Sequence, residues 1–183
     1  MKPNRRQEQA RLLRAVRKVH RYTGASLFAL FLIISITGLL LGWKKNSGGY
    51  LLPKSQRGIS TLATDWQALD ELQNRARFLL DSLHPELDSA VDRIDVRPSK
   101  GMVKFTFKAH YHELQLDLTT GQLLSAAKRR SDLLEQMHDG SIIDRQLGSN
   151  FFKLVYTSLT GLALLVFTVT GFWLWYGPKR MRR

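Results

Sequence analysis

The stretch Tyr22–Trp43, YTGASLFALFLIISITGLLLGW, decides how this chain must be read. It holds no Asp, Glu, Lys, Arg or His, and its 22 residues exceed the ~20 that an α-helix needs to cross ~30 Å of hydrocarbon. A second run of the same kind, Leu154–Tyr176, follows near the other end, LVYTSLTGLALLVFTVTGFWLWY. Backbone groups in lipid must bond within their own segment, so each run predicts one continuous helix. The overall mean hydropathy of −0.20 conceals this, because it averages both runs with a polar middle.

Charge predicts the orientation. The arm Met1–Arg21 carries a net +7, the tail after Tyr176 carries +4, and the middle, Lys44–Asn150, has 15 bases against 14 acids. Lys153 completes the formal +13. Excess positive charge stays on the cytoplasmic side, so both termini are expected there and the middle is expected to be exported. The same placement accounts for the high isoelectric point. The bases flank the spans, where anionic lipid lies, which argues against nucleic acid as a partner.

The first run is too long for a signal-peptide core, and no small-residue cleavage site follows it, so it reads as an uncleaved anchor. Tyr22, Trp43, Phe151, Phe152, Tyr156, Trp173, Trp175 and Tyr176 fall near the ends of the runs, as interfacial rings do. There is no cysteine, hence no disulfide, no thiolate ligand and no Cys-attached haem.

Between the runs the period changes. Asn46-Ser47-Gly48-Gly49 reads as a connector. A helix is predicted from Thr64 as N-cap to Leu83, with Trp66, Leu69, Leu72, Ala76, Leu79, Leu80 and Leu83 on one face. Alternation then predicts strands around Ile94–Val96, Val103–Phe107, Glu113–Leu118 and Gln122–Ala126, with turns at Pro98–Gly101 and Thr119–Gly121. Lys104, Thr106, Glu113, Gln115 and Asp117 are the polar alternates. Ser131 suits the N-cap of a short amphipathic helix, Asp132–Met137, that Gly140 ends.

The expected fold class is therefore α+β, two transmembrane helices flanking a small exported domain of one helix on an antiparallel meander. The expected divisions are a basic arm 1–21, helix 22–43, exported domain 44–130, amphipathic helix and connector 131–150, helix 151–176 and basic tail 177–183.

The order of parts, together with His138-Asp139-Gly140-Ser141 and Thr170-Gly171-Phe172-Trp173-Leu174-Trp175, resembles the PepSY-associated transmembrane family in a minimal two-helix form. The resemblance implies a bacterial inner-membrane protein with a periplasmic PepSY domain. Larger members are linked to haem-bearing reduction of iron–siderophore complexes. The implied role is an accessory, haem-binding subunit for transmembrane electron transfer in iron acquisition. The alternative is a non-redox anchored module whose exported domain binds or regulates a partner such as a peptidase.

Of the five histidines, His20 and His138 flank the spans and are the candidate ligands of haem b, because neutral imidazole serves where no thiolate is present. From His20 to Trp43 is about 35 Å of helix, so the two cannot clamp one haem. Two axial imidazoles on one iron would need a homodimer or a partner subunit. Ser35, Gly38 and Gly42 on the first span, with Thr157 and Gly161 on the second, are candidate helix-packing positions. His110 and His112 share a strand face but lack an evident third metal ligand. No nucleophile elbow, phosphate loop or dinucleotide fingerprint occurs, so no self-contained catalytic motif is present.

Overall fold

The computed structural model describes residues 5–181. Its contacts divide the chain into two units. One comprises residues up to 39 together with 136 onward, and the other runs from Leu40 to Glu135.

The first unit is helical. Helix α1, Arg5–Gly42, is 38 residues long, and α5, Phe151–Met181, is 31. Both are long and apolar enough to cross a membrane. The helix of the first span begins well before Tyr22, so the described part of the basic arm is α-helical too. Most large side chains along both helices are exposed, Leu39, Leu154 and Leu162 by about two-thirds, as suits surfaces whose solvent is lipid. A Cβ built at Gly177 would meet Leu13, one at Gly171 would meet His20, and one at Gly24 would meet Phe167. These pairs read out an antiparallel register. Two further helices belong with them in sequence, α3, Arg130–Asp139, and α4, Ser141–Leu147. Gly140, between them, adopts φ +77, the left-handed value expected of it.

The second unit holds a four-stranded antiparallel meander, β1 Val91–Arg97, β2 Met102–Phe107, β3 His112–Asp117 and β4 Leu123–Lys128, in sequence order. The predicted turns are both present, with Gly101 and Gly121 at φ +60 and +66. On one face Val103, Phe105, Phe107, Leu114 and Leu116, with Leu118 just beyond β3, pack against Leu72, Ala76 and Leu80 of α2, Leu69–Leu83. This is the core that period-two alternation and the helical stripe jointly predict.

One expectation is corrected. Helix α2 starts at Leu69, not after Thr64. The Thr64 hydroxyl bonds Asp65, and the Gln67 N–H is drawn to the Leu118 carbonyl at 2.8 Å, which keeps Trp66 and Gln67 extended. Residues 63–65 form only a 3₁₀ turn. The polar alternates of β2 and β3 are themselves buried. The segment 53–60 crosses their face, with Gln115 bonding the Lys54 carbonyl and the Gln56 N–H, and Asp117 accepting from the Ile59 N–H at 2.6 Å. Glu113, wholly buried, pairs with Lys104 at 3.2 Å and with Arg129. Every side chain of β2 is consequently buried. Burying a carboxylate is tolerable only because two cations and an amide meet it.

Candidate functional site

His20 and His138 stand at opposite ends of the helical unit, and the structure gives them equivalent surroundings. His20 Nδ1 lies 3.0 Å from Thr170 Oγ1, 150 residues away. His138 Nδ1 lies 3.0 Å from Thr37 Oγ1, 101 residues away. Each threonine is followed by a glycine on which the imidazole rests. A Cβ at Gly171 would come within 3.2 Å of His20 Cε1, and one at Gly38 within 3.2 Å of His138 Cε1. Any larger residue would push the ring away, so both threonine–glycine pairs are notches cut for an imidazole. His20 also stacks on Phe167, centroids 4.0 Å apart.

Both threonine hydroxyls donate back along their own helix, Thr37 to the Ile33 carbonyl and Thr170 to the Val166 carbonyl, each at 2.7 Å. Thr37 lies six residues before Trp43, and Thr170 six before Tyr176. Each notch therefore sits about 9 Å, by helical rise, inside the charge-free run. His20 and Thr37 are separated by about 26 Å along α1.

The chain around His138 is held by two carboxylates. Asp139 accepts from the Ser141 N–H and hydroxyl, capping α4, and pairs with Lys153 at 2.7 Å. Asp144 accepts from Ser149 and from the Phe152 and Lys153 N–H groups, satisfying orphan donors at the start of α5. Burial alone would raise both carboxyl pKa values, yet these hydrogen bonds hold each below the ordinary carboxylate range. Asp139 thus orients the chain that carries His138, while Thr37 orients the ring itself. Gly140 packs on the Tyr156 ring, and the Tyr156 hydroxyl is buried without a hydrogen-bond partner.

The candidate packing residues separate into two groups. Gly38 lies inside the unit, against His138. Ser35, Gly42, Thr157 and Gly161 are exposed, and nothing lies within 4 Å of a Cβ placed at Gly42 or Gly161. Between α1 and α5 the close approaches involve Gly24, Gly171 and Gly177 instead. These glycines carry no GxxxG spacing with one another. Nor does its Thr-Gly dipeptide single out Gly171, because the same pair recurs at 23–24, 37–38, 120–121 and 160–161.

Elsewhere, His110 and His112 acquire a neighbour that spacing alone does not reveal. The His84 ring, at the end of α2, lies 4.9 Å from that of His112, and His110 lies 5.0 Å from it. His112 Nδ1 is 3.2 Å from His110 Nδ1. Among the described residues no group of three or more His, Cys, Asp or Glu is arranged to hold a metal ion. Burial, with His110, His84 and Lys128 close by, lowers the His112 pKa.

An antiparallel pair of helices long and apolar enough to cross a membrane, with an imidazole seated at each end and a small α+β domain joined in sequence, defines the class. Residues 17–183 match the family described as PepSY-associated TM region, and the chain belongs to that family. It is a membrane protein associated with the lipid bilayer. No curated protein and no solved structure matches it.

Proposed function

We propose that this protein is a haem-binding accessory subunit for electron transfer across the cytoplasmic membrane, serving iron acquisition. The observation that carries the reading is the pair of histidines, one at each end of the spans. Each is tethered through Nδ1 and leaves Nε2 with no hydrogen bond among the described residues. That donor set fits haem b, with an anchored imidazole at each level and no thiol in the chain.

His20 and His138 would hold the group through Nε2. Haem seated there would supply reversible one-electron iron chemistry. The chain's own contribution is to anchor the rings and to set their levels about 26 Å apart along α1, at His20 and at Thr37. One chain offers one imidazole per level, so a second copy or a partner subunit would complete each coordination pair. The outward-facing Ser35, Gly42, Thr157 and Gly161 leave backbone free for such an approach. Excess positive charge at both ends supports cytoplasmic termini and a periplasmic domain.

The rival is a non-redox anchored module. Ile59, Leu62 and Phe78, each more than three-fifths exposed in the α+β unit, favour partner binding there. Absorption of the detergent-purified protein separates the two. A Soret band that weakens in His20→Ala and in His138→Ala is expected for the haem reading. A folded preparation that stays colourless with added haem would leave the module.

A further inference from the structure

We propose that Thr37 and Thr170 are positioning residues that set the tautomer of His138 and His20, making Nε2 the lone-pair nitrogen in both rings. A threonine hydroxyl has a single proton to donate. In both residues that proton is already committed to a backbone carbonyl of the preceding turn, Ile33 for Thr37 and Val166 for Thr170. Toward the imidazole, 3.0 Å away, each oxygen can only accept. In the neutral ring Nδ1 must then carry the proton and donate it. Nε2 is left bare, the form in which imidazole is a ligand.

In water a free imidazole distributes its proton over both nitrogens. Here the choice is made by the opposite helix, and it is made twice with the same parts. Each site has a back-bonded threonine, the next-residue glycine that lets the ring approach, and a histidine more than 100 residues away in sequence. In one site α1 carries the histidine and α5 the threonine; in the other α1 carries the threonine and α3 the histidine. One consequence is that ring orientation and association of α1 with the rest of the unit are coupled. If α1 separates from both α3 and α5, the two anchors are lost together.

Nitrogen-15 NMR of the full-length protein in detergent, labelled at histidine and without haem, reads this directly. The signals are assigned by their loss in His20→Ala and His138→Ala. Both rings are expected as the Nδ1–H form at neutral pH. Thr170→Val, which keeps the shape and removes the acceptor, should shift only His20 toward a mixture of tautomers. Thr37→Val should shift only His138, and Thr→Ser at either position should restore the wild-type signal.

A wild-type ring protonated at Nε2, or a tautomer unmoved by Thr→Val in a protein of unchanged helical circular dichroism, would overturn the assignment. A haem arm rests on the function proposed above. There each Thr→Val should weaken haem binding at one site about 10- to 100-fold, as loss of a ligand's anchoring partner does. Wild type that takes up no haem while both rings stay Nδ1–H would sink the haem reading and leave the positioning role intact.

Discussion

The two units of this chain solve opposite problems. The α+β unit excludes water. Its sheet is covered by α2 on one face and by residues 53–60 on the other, and Leu72, Leu80, Val103, Phe105 and Leu116 are wholly buried. The helical unit leaves most of its apolar surface outward, where lipid removes any gain from hiding it. Hydrophobic burial therefore specifies the first unit. A few polar contacts and small-residue notches specify the second. Mutations should fail differently in the two.

The largest effect is expected from Phe105→Ala, which empties the centre of the α+β unit's core and should cost about 3–5 kcal/mol. Urea unfolding of the full-length protein, followed by near-ultraviolet circular dichroism, measures it. The histidine NMR signals of the helical unit should not move, and a shift in them would abolish the contrast between the units.

Close behind comes Glu113→Ala. It leaves Lys104 buried with no carboxylate and Arg129 with Asp132 alone, at a cost of about 3 kcal/mol. Replacing Lys104, Glu113 and Arg129 together by apolar residues should recover part of that loss in the same urea titration. No recovery would mean that the bonds to residues 53–60, not the charges, hold that face.

Gly140→Val attacks the other unit. The left-handed backbone and the Tyr156 ring both oppose a side chain there, a strain of about 1–3 kcal/mol. His138 should lose its Thr37 contact while His20 keeps Thr170. NMR would detect one displaced ring; two displaced rings would show that the sites are not independent.

The smallest effect is acid sensitivity of the histidine cluster. His112 has a folded pKa below its ordinary value near 6.5, so folding favours the neutral ring. Its contribution is fully present above that pH and lost as pH falls below it, because the unfolded chain then takes up the proton first. Asp117 has a depressed pKa. Burial would raise it, but N–H groups of Thr120, Ile59 and Thr119 prevail. Its contribution survives until pH falls through the ordinary carboxylate range. Stability measured at pH 7.5 and 5.5 should decline in wild type and decline less in His112→Gln.

What could be read from sequence follows from range. A charge-free run of 22 residues, a period of two, and glycine at Gly101, Gly121 and Gly140 are local signals, and the spans, strands and turns obey them. The candidate ligands His20 and His138 were legible because they flank the spans. Their anchors were not, since Thr37 and Thr170 look like ordinary span residues until the helices pair antiparallel. The alternation of Lys104, Glu113 and Gln115 likewise signals a polar face but is silent on whether water or chain covers it.

Residue order alone thus settles which segments are helical, which are extended and which must lie in lipid, because each depends on neighbours within a turn or two. Tertiary structure alone decides that residues 53–60 close over the polar face of the sheet, and that each imidazole meets a threonine more than 100 positions away. Those contacts come from how separate elements register against one another, which no local period encodes.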